Sequence, residues 1–225
     1  MREPCSSARG PAYSPAVTST ERNAWLAAAI PYVTVPLGMH VLHSAWAALG
    51  LYHAGMIAVL IATRDARAVR SLFRGFRPAQ AMLWIVLGLL FGALVYFLWP
   101  IVRPQGLEVR PLLASLGLEG FAWWAFAFYF GLFHPGLEEA FWRGHIAPRV
   151  GKPWITDVLF GGYHATTMIA FQPPLGVALS ALGLMILASV WRRIARANGG
   201  LAIPWIAHGV ADSAFGAVIE ALARV

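Results

Sequence analysis

The sequence predicts an all-α fold, a polytopic transmembrane helical bundle of about seven spans, within a range of six to eight. Apolar residues make up 59% of the chain and charged residues only 12%, with a mean hydropathy of +0.63. Soluble globular domains carry about 25% charged residues, so the composition excludes that class. Residues 23–63, 79–102 and 158–191 contain no Asp, Glu, Lys or Arg. Each stretch exceeds the roughly 20 residues that one crossing needs.

The first charge-free stretch must be divided into two spans. As a single helix it would be about 60 Å long, twice the ~30 Å thickness of the bilayer's hydrocarbon core. We expect the division near Gly50 and His53. The predicted spans are residues 24–45, 46–63, 79–102, 121–140, 154–171, 174–190 and 201–222.

The basic residues predict the orientation of these spans. Fourteen of the 17 Lys and Arg residues fall in the N-terminal segment or in the loops after the second, fourth and sixth spans. Basic loops remain in the cytoplasm, so we expect a cytoplasmic N-terminus. Membrane orientation thus explains the net charge of +7, and no nucleic-acid partner is expected. The arginine-rich, lysine-poor composition suggests a bacterial inner (cell) membrane protein.

The N-terminal residues 1–22 predict a disordered cytosolic tail. They are polar and rich in Ser and Pro, and they lack the short apolar segment and cleavage site of a signal peptide. The chain's single cysteine, Cys5, lies in this tail, so an internal disulfide is excluded.

The sequence HPGLEEAFWRGH, residues 134–145, places carboxylates at the end of an aromatic, apolar run. Charged residues at membrane depth are costly and usually mark a functional site. Glu139 and Arg143 are four residues apart, so they share a helix face and can pair. Glu138 is rotated by about 100° and lacks that partner. We therefore expect Glu139 to be structural and Glu138 to be available for chemistry, although all three could form a helix-end ion network.

Two later spans carry further acid–base groups. His164 follows two glycines in FGGYH, and His208 and Asp212 are four residues apart in HGVAD. An aspartate beside a histidine fixes the imidazole tautomer. In the predicted topology Glu138, His164 and His208 all lie roughly 10–15 Å below the cytosolic face. This common depth favours one shared site over three separate packing roles.

A shared site of Glu138, His164 and His208 predicts hydrolysis by an activated water molecule. A carboxylate and two imidazoles can activate water and stabilise an oxyanion. Glu138, His164 and His208 could equally hold a divalent metal such as zinc, with an open fourth position. The sequence contains no HExxH motif and no cysteine in the spans, and Ser213 points to another helix face than Asp212. No cofactor is required by the sequence itself.

In order along the chain, the three motifs resemble those of a known family. EEAFWR fits EExxxR, FGGYH (Phe160 to His164) fits FxxxH, and HGVAD fits HxxxN/D. Together they are similar to the CAAX protease and bacteriocin-processing enzyme (CPBP, or Abi) family of intramembrane proteases. The resemblance covers about residues 120–222. It divides the chain into the tail (1–22), an N-terminal transmembrane region without a recognised motif (23–119) and a catalytic helical core (120–225).

The resemblance implies an intramembrane endopeptidase that acts on a membrane-associated protein or peptide, such as a C-terminal tail or a prenylated or otherwise lipidated substrate. Glu138 and His164 would activate water, while His208 and Asp212 would stabilise the oxyanion. Glu139 and Arg143 would shape the site. Many members have Asn where this chain has Asp212, and an ionised Asp cannot donate to an oxyanion. Asp212 is therefore better suited to orienting His208.

Two other functions remain open at the level of sequence. A non-catalytic relative could keep the motifs while serving in bacteriocin immunity or as a scaffold. A proton-coupled transporter could use the same carboxylates and histidines as a relay, although the sequence shows no inverted repeat.

Overall fold

The computed structural model describes residues 18–224, and these residues form helices and no strands, as the sequence predicts. The predicted tail lies outside the described residues, except at its end. The α-helices are α1 (Ser19–Ala28), α2 (Ile30–Pro36), α3 (Ala45–Ala62), α4 (Ala66–Arg70), α5 (Pro78–Val102), α6 (Val109–Ser115), α7 (Phe121–Leu132), α8 (His134–Glu138), α9 (Pro153–Met168), α10 (Pro174–Asn198) and α11 (Ala202–Ala223). Two π-helical segments, π1 (Leu37–Val41) and π2 (Glu139–Ile146), and a short 3-10 helix (Ser71–Phe73) complete the described elements.

The first helix begins at Ser19, inside the segment predicted to be a disordered tail. Thr18 has extended backbone angles, and its hydroxyl accepts a hydrogen bond from the Glu21 amide at 3.2 Å. This is an N-cap, which satisfies a backbone donor that would otherwise have no partner. Residues 19–22 are therefore helical.

Within residues 18–224, five helical stretches are long and apolar enough to cross a membrane. They are Ser19–Val41, Ala45–Ala62, Pro78–Ile101, Pro174–Asn198 and Ala202–Ala223. The predicted count of about seven is not confirmed. The predicted fourth span, 121–140, is divided among α7, α8 and π2, and the fifth corresponds to α9, which has only 16 residues.

The first two spans are separated at residues 42–44, close to the predicted bounds of 24–45 and 46–63 but before Gly50 and His53. His43 has a φ of 47°, and Ser44 caps α3 by accepting a hydrogen bond from the Ala47 amide at 3.2 Å. Gly50 and His53, which we expected near the division, lie inside α3. Because the break precedes His53, this residue lies within α3, where its side chain is buried inside the bundle and 4% exposed.

Large apolar side chains cover much of the outer surface. Most of α5 is exposed, with Leu89, Phe97 and Ile101 at 59%, 74% and 79% exposure. Water-soluble proteins rarely present continuous apolar surface on this scale, and lipid is its natural solvent. These helices indicate an integral membrane protein.

A small-residue contact brings α9 against α10. A Cβ atom added to Gly161 would come within 2.7 Å of the Ala181 carbonyl oxygen and 2.8 Å of the Met185 amide nitrogen. The two backbones therefore pack at a distance that a larger residue would not permit. Gly161 of FGGYH thus allows the close approach of α9 and α10, and His164 lies one turn further along α9.

The helix that carries the two glutamates changes its hydrogen-bonding pattern at the site. Pro135 is at the start of α8, and from Glu139 to Ile146 the backbone is π-helical, ending with the Ala147 amide bonded to the Trp142 carbonyl at 2.9 Å. π-Helical turns are rare and frequently occur at functional sites. Here the wider turn contains Glu139 and Arg143 and follows directly after Glu138.

Candidate active site

Glu138 lies at the centre of the bundle and is completely buried. One carboxylate oxygen, Oε1, accepts a hydrogen bond from the Tyr52 hydroxyl at 2.6 Å and another from the Tyr163 hydroxyl. Trp142 in turn donates from Nε1 to the Tyr52 oxygen at 2.8 Å. A buried carboxylate needs such donors, because it has lost its hydration.

The other oxygen of Glu138 is available for chemistry. Glu138 Oε2 has no hydrogen-bond partner among residues 18–224. The Nε2 atoms of His134 and His208 lie 3.4 Å and 3.5 Å from it. An oxygen with free lone pairs between two imidazoles can accept a proton from an incoming group.

Glu139 and Arg143 form the ion pair that their spacing predicts. Arg143 Nη1 donates to Glu139 Oε1 at 2.7 Å, and both side chains are buried. The guanidinium also lies over the Phe160 ring, 4.3 Å from its centroid, and 5.3 Å from the Trp191 ring. Ring faces stabilise a desolvated cation, so these aromatics help to hold the buried arginine.

His208 is oriented by Glu139 rather than by Asp212. Its Nδ1 lies 3.1 Å from Glu139 Oε1, and because an ionised carboxylate only accepts, Nδ1 carries a hydrogen. Its Nε2 therefore faces Glu138 Oε2 and Asp212 Oδ2, each at 3.5 Å. Asp212 Oδ2 makes no hydrogen bond to any described residue. Glu139 therefore fills the role of orienting His208 that the sequence predicts for Asp212.

His164 reaches Glu138 through a tyrosine. Its Nδ1 lies 2.7 Å from the Phe160 carbonyl oxygen, so Nδ1 carries a hydrogen. Its Nε2 lies 3.2 Å from the Tyr163 hydroxyl, which itself donates to Glu138 Oε1. The structure therefore brings all six predicted site residues into one cluster of contacts, although His164 joins it indirectly.

Four polar side chains that complete this cluster are not among the site residues predicted from the sequence: Tyr52, His53, His134 and Tyr163. Two of them had a usable signal. His134 precedes Glu138 by four residues, which places both on one helix face, and Tyr163 is adjacent to His164. Tyr52 and His53 come from α3, and no spacing along the chain relates them to the later motifs.

The cluster does not fit the metal alternative. Among residues 18–224, no group of three or more His, Cys, Asp or Glu side chains is arranged to hold a metal ion. His164 illustrates the reason, since its Nδ1 bonds to the Phe160 carbonyl and it meets Glu138 only through the Tyr163 hydroxyl, which contacts its Nε2 at 3.2 Å. We therefore assign no reaction step to a metal.

A separate buried ionic cluster anchors the end of π2 outside the spans. Asp65 Oδ2 accepts from His145 Nδ1 at 2.8 Å and from Arg149 Nη2 at 2.7 Å. Burial alone would raise the pKa of Asp65, but the hydrogen bonds from His145 and Ala68 and the charge of Arg149 lower it overall. Burial lowers the pKa of His145, and its Nδ1–H donates to Asp65. Through these contacts Asp65, in the segment after α3, holds the end of π2, the helix that follows Glu138.

One comparison with known proteins identifies the part of the chain that holds most of the site. Residues 120–214 match the family described as type II CAAX prenyl endopeptidase Rce1-like. Neither curated proteins nor solved structures give a significant match. The matched segment runs from the start of α7 into α11 and includes all three motifs, so for this segment the match confirms the family that the motifs predict.

Proposed function

We propose that this chain is an intramembrane endopeptidase. It hydrolyses a peptide bond of a membrane-associated or lipidated protein or peptide. The proposal draws on residues 120–214, which match the Rce1-like family of type II CAAX prenyl endopeptidases. The N-terminus is cytoplasmic, in agreement with the arginine distribution, and the membrane is the bacterial inner membrane.

The observation that carries this proposal is the arrangement of Glu138. Its Oε1 is held by two tyrosine hydroxyls, while Oε2 is without a hydrogen-bond partner among the described residues and faces two imidazoles. Glu139 is less suited to act as the base, because the Arg143 guanidinium neutralises it at 2.7 Å. A positioned carboxylate with one free oxygen is what a general base requires.

The reaction follows from these positions. Glu138 Oε2 removes one proton from a water molecule as the water oxygen bonds to the scissile carbonyl carbon. The tetrahedral intermediate then loses its C–N bond, and the proton held by Glu138 passes to the leaving nitrogen. The products are a carboxylic acid and an amine, and Glu138 is ionised again.

The histidines assist this sequence in different ways. His208 Nε2 faces Glu138 Oε2 and is placed to donate to the developing oxyanion when it carries a hydrogen. An ionised Asp212 cannot donate to an oxyanion, so its role is to favour the protonated form of His208 at 3.5 Å. His164, when it also carries a hydrogen on Nε2, donates to the Tyr163 oxygen, and the Tyr163 hydroxyl donates to Glu138.

The proposal is tested by cleavage of a defined peptide in proteoliposomes. The substrate is an internally quenched peptide that ends in a farnesylated CAAX sequence, and the same peptide without the farnesyl group is run beside it. We expect the wild-type protein to cleave the farnesylated peptide and Glu138→Ala to show no cleavage above background. Glu220→Ala is the matched control, since this carboxylate lies on α11 and pairs with Arg224 away from the site.

Three outcomes would overturn parts of the proposal. Full activity of Glu138→Ala would remove Glu138 as the base. Equal cleavage of both peptides would remove the lipidated substrate class, and cleavage of neither would exclude prenylated tails as substrates.

A further inference from the structure

The N-terminal half of the chain contributes a histidine to the site that no motif contains. His53 lies on α3, outside the segment matched by the family, and is 4% exposed. Its Nε2 lies 2.9 Å from His134 Nδ1, and its Nδ1 lies 2.8 Å from the Tyr129 hydroxyl. The His53 and His134 rings are nearly coplanar, with 13° between their planes.

These contacts form a chain that ends at the proposed base. From the partly buried Tyr129 it passes through His53 to His134, whose Nε2 faces Glu138 Oε2 at 3.4 Å. Each imidazole therefore uses both of its ring nitrogens. A neutral imidazole has one nitrogen that donates and one that accepts, so the direction of one link determines the direction of the next.

The carboxylate end fixes that direction. His134 Nε2 lies 3.4 Å from Glu138 Oε2 and makes no hydrogen bond to it in this structure. A buried ionised carboxylate nevertheless attracts an N–H and repels a lone pair, which favours the His134 tautomer with its hydrogen on Nε2 and an accepting Nδ1. His53 consequently donates from Nε2 to His134, and its own Nδ1 accepts from the Tyr129 hydroxyl. With the opposite tautomer, His134 would direct a lone pair at the carboxylate oxygen, which is repulsive in a buried site.

We infer that His53 is a positioning residue of the active site, which together with Tyr129 holds His134 in the tautomer whose Nε2–H faces Glu138. This inference rests on the proposed function of Glu138 as the base. It gives the N-terminal half a defined part in the site, because α3 supplies both His53 and Tyr52.

The kinetic test compares two substitutions of His53. His53→Phe keeps a flat ring but can neither donate nor accept. His53→Gln keeps one donor and one acceptor, so it can still bond to His134 Nδ1 and to Tyr129. With the farnesylated peptide we expect His53→Phe to lower kcat on the order of 10- to 100-fold with little change in KM. We expect His53→Gln to recover most of that loss.

His40→Phe is the matched control. His40 belongs to the same N-terminal half and contacts the Thr166 carbonyl oxygen at 2.7 Å, with no link to Glu138. We expect its kcat to stay close to that of the wild type. Thermal unfolding in detergent checks that each variant is folded.

A second readout needs no substrate. In protein labelled with ¹⁵N-histidine, the wild-type His134 signals should show a protonated Nε2 and an unprotonated Nδ1, and His53→Phe should change that ratio. A wild-type His134 protonated on Nδ1 would overturn the inference. So would full kcat in His53→Phe while Glu138→Ala is inactive. If Glu138→Ala is itself active, the proposed function has failed, and the NMR result still decides the inference.

Discussion

Two tyrosine hydroxyls donate to the same oxygen of Glu138, and they differ in the group behind them. The Tyr52 oxygen accepts from Trp142 Nε1 at 2.8 Å, and an indole N–H can only donate. The Tyr163 oxygen contacts His164 Nε2 at 3.2 Å, and an imidazole can hold or release a proton. Because Tyr163 donates its only hydrogen to Glu138, it bridges the two motif residues by hydrogen bonds when His164 is protonated on both ring nitrogens and donates from Nε2 to the Tyr163 oxygen.

This difference predicts unequal effects for the same substitution. Tyr52→Phe and Tyr163→Phe each remove one hydrogen bond to Glu138 Oε1, but Tyr163→Phe also separates Glu138 from His164. We expect Tyr163→Phe to reduce kcat roughly tenfold or more beyond the reduction caused by Tyr52→Phe. Both rates are measured with the farnesylated peptide at equal amounts of folded protein. Equal reductions would show that the link to His164 has no part in the reaction.

At the scale of the element, the contact between α9 and α10 determines where His164 lies. Gly161→Ala would place a methyl group 2.7 Å from the Ala181 carbonyl oxygen, which is a backbone atom that cannot move aside without shifting α10. We therefore predict that Gly161→Ala lowers both the thermal unfolding midpoint and the cleavage rate, because α9 must move and carry His164 with it.

Gly183→Ala is the control for that substitution. Gly183 lies on α10, and a Cβ atom there would meet nothing within 4 Å. Alanine is favoured over glycine in a helix interior by about 1 kcal/mol, so this variant should be as stable as the wild type or slightly more so. A Gly161→Ala protein that matched Gly183→Ala in both measurements would contradict the packing argument.

The π-helical turn is a second feature at this scale. It begins at Glu139, and it is fixed at its far end by His145 and Arg149, both bonded to Asp65. The two adjacent glutamates consequently face different partners: tyrosines for Glu138, and Arg143 with His208 for Glu139. The spacing of four predicted the Glu139–Arg143 pair in either type of helix, but no sequence pattern predicted the π turn.

At the scale of the whole molecule, orientation can be tested with the single cysteine. We predict that Cys5 is cytoplasmic, so a membrane-impermeant maleimide added to intact spheroplasts should not label it until the membrane is permeabilised. A Cys5→Ser, Ser115→Cys variant gives the opposite case, since the predicted topology places the exposed Ser115 on the outer side. Labelling of Cys5 in intact spheroplasts would reverse the predicted orientation.

The sequence predicts the helical membrane fold and the convergence of the three motifs because both depend on local properties. Charge-free length indicates membrane helices, and spacings of four place residues on one helix face. Tyr52 and His53 could not be predicted in this way. They enter the site because α3 packs beside the motif helices, and that packing depends on the helix break at residues 42–44, which lies earlier than Gly50.

If the free oxygen of Glu138 takes a proton from water, the cleavage rate of Glu138→Gln must fall steeply. Glutamine has the same shape and can still accept from Tyr52 and Tyr163, but it cannot act as the base. We predict that purified Glu138→Gln protein is folded, with an unfolding midpoint near that of the wild type, and that it cleaves the farnesylated peptide at least about 100-fold more slowly. A Glu138→Gln protein with the wild-type rate would contradict this role of Glu138.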